Sequence, residues 1–337
     1  MVREGVTRRE ALTMLGGATA VGLAGCSADQ DADITQSSSN GTTSASGTSD
    51  SAAPNGDERP AELPLIDVHI HLTPEPAFDR EPFRTDAAIN WMDENGVDKA
   101  IVHPLESPTA WSYPVPSWWV LREVANYPDR LIPFASVGPQ QIERFGIDQL
   151  QTRIKTYLDA GARGIGELKA PLAIDHEYMQ VLYELCATHD VPLLFHIDET
   201  NATDEIGLSG FESMLGSYPD TTFIAHGPGW WSQLSKNPTQ FGGYPTEAVD
   251  SGGPVPRLLT RYDNLYGDLS GGSGWNALAR DMSFAQEFLT NHAEDLMFGT
   301  DKLSTSKSVD QFALFETFDL SRNQWAAIRY QNIEQFL

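Results

Sequence analysis

Two histidines in an apolar segment carry the first chemical signal of this sequence. His69 and His71 are two residues apart, at and just after the end of the apolar run Leu65–Ile70. On a β-strand, residues i and i+2 share a face, so the two imidazoles are expected to point together while their apolar neighbours face away. Two neutral imidazoles that converge in this way are suitable ligands for Zn²⁺ or a similar divalent ion. Taken alone, such a pair is more often used for packing and hydrogen bonding than for metal binding.

Ligand-type side chains also follow four later apolar runs. Glu167, His196, His226 and Asp301 each come directly after a short segment of apolar or small residues. A single histidine at such a position is usually structural, but six ligand-type residues at five strand ends are hard to obtain by chance. The sequence therefore predicts a site for a divalent metal, with Zn²⁺ as the first candidate.

From Glu62 onward, short apolar runs alternate with amphipathic stretches, which is typical of repeated βα units. Eight such units favour a closed α/β fold, the (β/α)8 or TIM barrel, over an open doubly wound sheet. No Gly-rich phosphate loop follows the first strand. Functional side chains of such a barrel gather at the C-terminal ends of its strands. The predicted strands are Leu65–Ile70, Lys99–His103, Leu131–Val137, Gly164–Glu167, Pro192–His196, Thr222–His226, Leu265–Leu269 and Leu296–Thr300.

The amphipathic segments predict the helices that surround the barrel. Gly96, Pro128, Gly161 and Pro219 mark several of their boundaries. The predicted helices are Ala87–Asn95, Pro116–Asn126, Ile147–Ala160, Glu177–His189, Gly210–Ser217, Val255–Arg261, Trp275–Asn291, Val309–Phe318 and Arg322–Phe336.

The pattern of strand ends resembles the amidohydrolase superfamily, and within it the metal-dependent hydrolases of the amidohydrolase 2 group. The resemblance extends from around Pro64 to the C-terminus. It is carried by Asp67-Val68-His69-Ile70-His71, by His196 and His226, and by Gly299-Thr300-Asp301. It implies a TIM-barrel fold with one or two divalent metal ions at the barrel mouth.

The resemblance also implies roles for individual residues. One metal ion would be surrounded by His69, His71, His196 and Asp301. His226 would bind a second ion, or contact the substrate or the bound water. Glu167 is similar to the strand-four carboxylate that bridges two ions in the deoxyribonuclease-like branch, whereas other branches use a carboxylated lysine. Lys169 shares the strand parity of Glu167 and is a rival for this role, although it lies beyond the expected strand end; if neither is a ligand, the site holds one ion.

The implied reaction is hydrolysis by a metal-activated water. A bound divalent ion lowers the pKa of water from about 15.7 to about 7. Asp301 would take the proton of that water and pass it to the leaving group, and His226 with the metal would stabilise the developing oxyanion. The expected substrate is a small ester, lactone, amide or phosphoester. Two alternatives stay open: a mononuclear decarboxylase of the same superfamily, and a non-catalytic surface lipoprotein that binds a metal or a ligand.

The charge balance restricts the partners of this chain. Its 337 residues include 22 Lys and Arg against 47 Asp and Glu, a formal net charge of −25. An evenly acidic surface repels nucleic acid and anionic lipid headgroups, which argues against both and leaves a small-molecule substrate as the expected partner. Such surfaces also keep proteins soluble in multimolar salt, where a Debye length of about 3 Å screens self-repulsion. A halophilic source is therefore predicted, whereas the sequence gives no indication of an oligomeric state.

The N-terminal region predicts export and a lipid anchor. Residues 1–25 contain Arg8-Arg9 and a short apolar run, which resembles a twin-arginine signal peptide. Leu23-Ala24-Gly25-Cys26 is similar to a lipobox, so Cys26 would carry the lipid on the outer face of the cytoplasmic membrane. An uncleaved N-terminal anchor is the alternative. Residues 26–60, rich in Ser, Thr and Asp, predict a disordered linker, and residues 61–337 predict the hydrolase barrel.

Several residues around the predicted site have open interpretations. Long strand-to-helix connections with tryptophans, among them Trp230 and Trp231, follow His103 and His226. These tryptophans either line a pocket for an apolar or aromatic ligand or pack the loops on the barrel rim. His103 ends the second strand, where a structural role and a substrate contact are equally compatible with the sequence. Cys186, in a helical segment, is predicted to be a buried small hydrophobe rather than a nucleophile.

Overall fold

The computed structural model describes residues 63–107 and 111–337. The predicted signal peptide, Cys26 and the linker of residues 26–60 lie outside these described residues. Among the helices of the described part, none is both long enough and apolar enough to cross a membrane.

Eight short parallel strands form the centre of the fold, at the eight places that the sequence predicts. They are β1 (Ile66–Ile70), β2 (Lys99–Val102), β3 (Leu131–Pro133), β4 (Ile165–Leu168), β5 (Leu193–His196), β6 (Phe223–His226), β7 (Leu265–Asp268) and β8 (Leu296–Met297). The last strand is shorter than predicted because the residues after Met297 bond outside the ladder. Phe298 N donates to Ile328 O over 3.0 Å, and Thr300 N donates to the Asp67 carboxylate.

The strands close into a barrel through two seams. β1, β2 and β3 are hydrogen-bonded neighbours in that order, and β4 to β8 form the second run. A parallel bridge between Ala135 and Ile165 joins the end of β3 to β4, and one between Ile70 and Lys302 joins β1 to the residues after β8. The prediction of a (β/α)8 barrel is therefore confirmed.

Apolar side chains fill the space inside and outside the barrel in two separate clusters. Side chains alternate between the two faces of a strand. On β5, Leu194 therefore lies inside the barrel, whereas its neighbours Leu193 and Phe195 pack outward against the helices. His196 therefore takes the next inward position, at the barrel mouth. The inner cluster consists of Ile66, Val68, Ile101, Phe134, Leu194, Ile224, Met297 and Ile333.

The helices surround the barrel close to the predicted positions. The longer ones are Thr85–Asn95, Ser117–Val124, Ile147–Asp159, Glu177–Thr188, Ser209–Ser217, Pro254–Arg261, Gly271–Ala279 and Met282–Asn291. The C-terminal ones are Gln311–Phe315, Arg322–Ala326 and Asn332–Glu334, the last two joined by the π-helical segment Ala327–Gln331. Cys186 is buried in its helix, as predicted.

The prediction of a single helix over Trp275–Asn291 is wrong. The chain leaves the helical conformation at Asp281, whose side chain accepts a hydrogen bond from Phe284 N over 3.1 Å and caps a second helix. Other short helical turns lie in connections for which no helix is predicted: Pro139–Gln141, Ile142–Phe145, Pro228–Trp231, Ser232–Leu234 and Ala293–Asp295.

A bulge in β1 determines which of its side chains reach the barrel mouth. Asp67 pairs with Ala100 and Ile70 pairs with Val102, so β1 has one residue more than β2 over this stretch. An extra residue breaks strict alternation along the bulged strand. Val68 therefore lies in the inner cluster, and the expectation that it faces outward beside the histidine pair is wrong.

The same irregularity occurs in β4. Ile165 pairs with Leu193 and Leu168 pairs with Phe195, so β4 also has one residue more than its neighbour. Ile165 and Leu168 both belong to the outer cluster, and Glu167 lies between them. Because of the bulge, Ile165 and Leu168 both point outward while the Glu167 carboxylate between them reaches the barrel mouth.

We expect the interior of the barrel to be sensitive to truncation. Ile224→Ala on β6 removes a fully buried side chain from the inner cluster, which typically costs about 2–5 kcal/mol in free energy of unfolding. The matched variant Ile206→Ala truncates the same residue type at a position that is 50% exposed, and should change stability by less than about 0.5 kcal/mol. Denaturant unfolding followed by circular dichroism measures both. Equal losses would contradict the assignment of Ile224 to the core.

Candidate metal centre

The structure brings all six predicted ligand residues together at the C-terminal end of the barrel. His69 and His71 come from the end of β1, and Glu167 comes from β4. His196 and His226 are paired in register on the neighbouring strands β5 and β6. Asp301 follows the end of β8 and lies beside them because its backbone N donates to His69 O over 2.7 Å.

Four side chains form a first group: His69, His71, Glu167 and Asp301. The Nε2 atoms of His69 and His71 are 3.1 Å apart. Asp301 Oδ1 is 3.2 Å from His71 Nε2 and 3.9 Å from His69 Nε2. Glu167 Oε2 is 3.6 Å from His71 Nε2 and 3.9 Å from His69 Nε2. Ligand atoms about 2.1 Å from a tetrahedral ion lie about 3.4 Å from one another, so these atoms have the spacing of a coordination shell.

The outer ring nitrogens of the histidine pair are already committed to acceptors. His71 Nδ1 donates to the backbone carbonyl of His103 over 2.9 Å, and His69 Nδ1 donates to Asp268 Oδ2 over 2.7 Å. In the neutral imidazole, a protonated Nδ1 leaves a lone pair on Nε2. The two facing Nε2 atoms therefore present lone pairs to each other, which is favourable only with a cation between them. This donor set fits a divalent metal.

A second group consists of Glu167, His196 and His226. Glu167 Oε1 is 2.8 Å from His196 Nδ1 and 3.9 Å from His226 Nε2. His196 Nε2 donates to Asp198 Oδ2 over 3.1 Å, and His226 Nδ1 lies 3.1 Å from Asp268 Oδ2. In neutral rings that carry the proton on these outer nitrogens, the remaining nitrogens turn their lone pairs toward Glu167, which is favourable only with a cation between them. The chain thus places a second cluster with metal-ligand character beside the first.

The grouping differs from the one that the resemblance implied. His196 was expected to share one ion with His69, His71 and Asp301. It lies instead with Glu167 and His226, because the register of β5 and β6 pairs it directly with His226. Glu167 belongs to both groups, one carboxylate oxygen in each.

Asp268, which the sequence interpretation missed, holds one histidine of each group. It is fully buried at the end of β7, and its Oδ2 accepts hydrogen bonds from His69 Nδ1 and from the Ser270 hydroxyl over 2.8 Å. Burial by itself raises the pKa of Asp268, but the adjacent His226 and His69 outweigh it and hold the pKa below its usual value. The signal was available, because Asp268 is a polar residue near the end of the predicted seventh strand.

Asp198 is the second residue that the sequence interpretation missed. Its carboxylate accepts hydrogen bonds from the backbone N–H groups of Thr200 and Asn201, over 2.7 and 2.6 Å, and faces His196. Burial and the nearby Lys169 lower the pKa of His196, but the negative charges of Asp198 and Glu167, one beside each ring nitrogen, raise it on balance. Asp198 therefore fixes the ring orientation of His196 from the solvent side. No pattern marked it, because it lies in a connection beyond the strand end.

Both acidic members of the first group, the buried Glu167 and the partly buried Asp301, remain ionised. Burial raises the pKa of Glu167, but Lys169 and His196 outweigh that effect and hold it well below its usual range. The pKa of Asp301 is likewise raised by burial and lowered more strongly by Lys307 and His71. Lys169, the rival ligand, lies with its Nζ 3.6 Å from Glu167 Oε2 and neighbours the carboxylate rather than replacing it.

His103 and the tryptophan pair after β6 are buried next to the site and hydrogen-bond to residues that form it. His103 is fully buried, its Nε2 donates to Val68 O over 2.9 Å, and its carbonyl orients His71. Burial lowers the pKa of the His103 imidazole to about 3, so the ring is neutral. Trp230 and Trp231 are buried, and Trp231 Nε1 donates to Asp268 O over 2.9 Å. Both tryptophans therefore pack the loop on the rim.

A comparison with known protein families identifies the family of this chain. A sequence profile described as Amidohydrolase (Amidohydro_2) matches residues 66–337. The chain therefore belongs to the amidohydrolase family. A comparison with curated protein sequences found no significant match.

Solved structures with the same fold include enzymes of more than one type. An uncharacterised TIM-barrel protein from Bordetella bronchiseptica is 17% identical, with a TM-score of 0.60, covering 81% of this chain and 98% of that one. A 5-carboxyvanillate decarboxylase from Novosphingobium aromaticivorans, complexed with manganese, is 14% identical, with a TM-score of 0.53 and coverages of 82% and 96%. A candidate 2-pyrone-4,6-dicarboxylic acid hydrolase from Pseudomonas putida is 15% identical, with a TM-score of 0.54 and coverages of 82% and 97%. At these identities the similarity establishes the fold.

The shared position of Asp268 predicts that one substitution weakens metal binding at both groups. Asp268→Asn keeps the shape of the side chain but removes the charge that fixes His69 and His226. Loss of such an outer carboxylate typically lowers metal affinity about 10–100-fold. Competition with a chelator of known affinity measures the change, and the exposed neighbour Asp263→Asn is the control. Unchanged affinity in Asp268→Asn would remove its assigned role.

Proposed function

We propose that the domain is a metal-dependent hydrolase that holds two divalent ions, with Zn²⁺ as the first candidate. The observation that carries the proposal is the orientation of the Glu167 carboxylate. Its Oε2 faces His69 and His71, and its Oε1 faces His196 and His226. A carboxylate with one oxygen in each ligand group is suited to bridge two ions, and two-ion sites are typical of hydrolytic enzymes.

The proton transfer of the proposed reaction is assigned to a residue of the chain. When bound, a divalent ion lowers the pKa of a coordinated water to about 7 and polarises the substrate oxygen. Asp301 has a side chain that is 18% exposed, more than the other members of the first group, so its carboxylate is reachable from the mouth. We assign to it the proton of the attacking water and its transfer to the leaving group.

The orienting groups make the site rigid. Asp268 and the His103 carbonyl hold the histidine pair of β1, and Asp198 holds His196. Fixed dipoles and charges contribute most to catalysis when they do not have to reorganise during the reaction. The proposed substrates are small esters, lactones, amides or phosphoesters.

A mononuclear decarboxylase is the second candidate function. It needs only one ion, and the first group with His69, His71 and Asp301 supplies ligands for one. The similarity to the manganese-containing 5-carboxyvanillate decarboxylase supports this candidate as strongly as the hydrolase-named relative supports the first. In this case Glu167 is not a bridging ligand.

We further propose that the barrel works outside the cell, attached through a lipid on Cys26 and the linker of residues 26–60. This proposal rests on the twin-arginine and lipobox patterns and on the acidic, lysine-poor composition typical of halophilic proteins. A surface protein that only binds a metal is less consistent with the partly exposed Asp301 carboxylate beside the histidine pair.

Metal content separates the two candidate reactions. For the full chain purified without chelator, mass spectrometry should find two divalent ions per chain. Glu167→Ala should reduce that number to one or none, because it removes a ligand from both groups. The exposed variant Glu287→Ala should keep both ions. One ion that persists in Glu167→Ala favours the decarboxylase, and a folded chain without any metal contradicts both reactions.

The role of Asp301 predicts a loss of turnover at a given metal content. Substrates are first identified from a panel of esters, lactones, amides and phosphoesters by proton release, and from aromatic acids by carbon dioxide evolution. Asp301→Asn should lower kcat on the best substrate about 10²–10⁴-fold, the usual contribution of a positioned proton-transfer group. Rates are compared per bound ion, with the exposed variant Asp319→Asn as control. Intact turnover in Asp301→Asn would exclude it as the proton carrier.

A further inference from the structure

Asp67 and Thr300 belong to the two motifs that meet where β8 closes on β1, yet neither is a member of a ligand group. Asp67 is the first residue of Asp67-Val68-His69-Ile70-His71, and Thr300 directly precedes Asp301. Although 233 residues separate them in the sequence, the two side chains are hydrogen-bonded to each other. Both residues are buried. Their contact therefore links the motif at the start of the barrel to the motif at its end.

The Asp67 carboxylate bonds to the backbone of both motifs. Its Oδ1 accepts hydrogen bonds from His69 N and from Thr300 N, each over 3.0 Å. Its Oδ2 accepts a hydrogen bond from the Thr300 hydroxyl over 2.6 Å. One fully buried carboxylate thus joins the backbone of a histidine ligand to the residue before Asp301.

Asp301 has a backbone conformation that needs such support. Its φ is 55°, in the left-handed region. Residues other than glycine populate this region sparsely, and they keep it when the surrounding structure fixes them there. In this conformation Asp301 N donates to His69 O over 2.7 Å, and Asp301 Oδ1 lies 3.2 Å from His71 Nε2. The place of the proposed proton carrier therefore depends on what fixes its backbone.

The Thr300 hydroxyl fixes the chain on both sides of Asp301. It donates to Asp67 Oδ2 and accepts a hydrogen bond from Lys302 N over 3.2 Å. Lys302 O in turn accepts a hydrogen bond from His71 N over 2.8 Å. The residues before and after Asp301 are thus attached to β1, and the Thr300 hydroxyl is a side-chain group of this arrangement that a substitution can remove.

The residues held in this way belong to the first ligand group. Asp67 bonds to the backbone of His69, and Thr300 adjoins Asp301, whereas His196 and His226 of the second group lie on β5 and β6. Asp268 differs, because it holds one histidine of each group. A loss of the contact between Asp67 and Thr300 should therefore affect one of the two groups.

We propose that Asp67 and Thr300 are positioning residues, whose hydrogen bonds hold Asp301 in the left-handed conformation that places its carboxylate beside His69 and His71. The proposal rests on the proposed function for the reaction that Asp301 serves. The placement itself is a property of the chain and can be measured without a bound ion.

Hydrogen exchange tests the placement directly. Thr300→Val keeps nearly the shape of the side chain and removes the hydroxyl, which leaves Asp67 Oδ2 and Lys302 N without this partner. Exchange of the full chain is followed by mass spectrometry of peptides that cover residues 299–302, with a chelator present so that a bound ion does not mask the effect. The amides should exchange at least about tenfold faster in Thr300→Val than in the wild type. Thr300→Ser, which keeps the hydroxyl, should restore slow exchange.

Metal affinity tests the consequence for the site. Zn²⁺ is titrated from the loaded full chain with a chelator of known affinity. Thr300→Val should weaken one of the two ions about tenfold and leave the other unchanged, because the contact supports one ligand group. Asp67→Asn, which changes the other partner of the same bond, should weaken one ion as well, and Thr300→Ser should keep the wild-type affinities.

Thr221→Val is the matched control. Thr221 is a buried threonine whose hydroxyl donates to Tyr183 O over 2.9 Å, and it lies before β6, at the opposite end of that strand from His226. It loses a buried hydrogen bond like Thr300→Val, but it should leave the exchange of residues 299–302 and the affinity of both ions unchanged. The proposal is overturned if both control and test variant lose affinity equally, or if Thr300→Ser behaves like Thr300→Val.

Failure of the positioning role and failure of the proposed function give different results. Two bound ions, both held as tightly in Thr300→Val as in the wild type, would overturn the positioning role and leave the hydrolase proposal intact. A chain that takes up no metal, yet exchanges faster at residues 299–302 in Thr300→Val alone, would keep the placement of Asp301 and overturn the metal-dependent function.

Discussion

The site depends on one constraint: every histidine that faces it has its other ring nitrogen occupied by a fixed acceptor. The Asp268 carboxylate is the acceptor for His69 and His226. The backbone carbonyl of His103 is the acceptor for His71, and the Asp198 carboxylate is the acceptor for His196. Because a neutral imidazole has a single N–H, each of these bonds determines where the lone pair points. The acceptors themselves are immobile, since Asp268 and His103 are fully buried and Asp198 is held by backbone N–H groups. Four converging lone pairs and the Glu167 carboxylate are thus a property of the whole barrel mouth rather than of a local motif.

The backbone brings these side chains to the barrel mouth through irregularities in two strands, β1 and β4. Bulges in β1 and β4 let each strand pack apolar side chains on the inner or outer cluster and still direct His69 and Glu167 to the mouth. Strands β5 and β6 pair without a bulge. Regular alternation turns His196 and His226 inward, and the register of the two strands places them side by side. Asp301 reaches the site through the backbone bond that closes the barrel, from its N to His69 O. The hydrogen bond that closes the barrel at this seam therefore also places Asp301 in the site.

The fold and the ligand residues could be predicted from the sequence because both leave local signals. An apolar run followed by a histidine or a carboxylate identifies a strand and its functional end together, as at His196 and His226. The residues that orient the ligands leave no such signal: Asp198 and the carbonyl of His103 matter because of atoms brought near by other strands. The division of the ligands into two groups has the same origin, since it depends on strand register. The break at Asp281 was missed because the capping bond to Phe284 N competes locally with a continuous amphipathic pattern.

Among the residues that the structure describes, the ligand-type side chains of the site come from the barrel strands or from the residues next to them. The connection of residues 227–253, between β6 and the next long helix, supplies none. The residues proposed to hold a metal are thus encoded separately from the long connections. Insertions and substitutions can accumulate in the connections without disturbing the inner ring of strands. Over evolutionary time, such a scaffold can exchange one substrate for another while its inorganic chemistry is inherited unchanged.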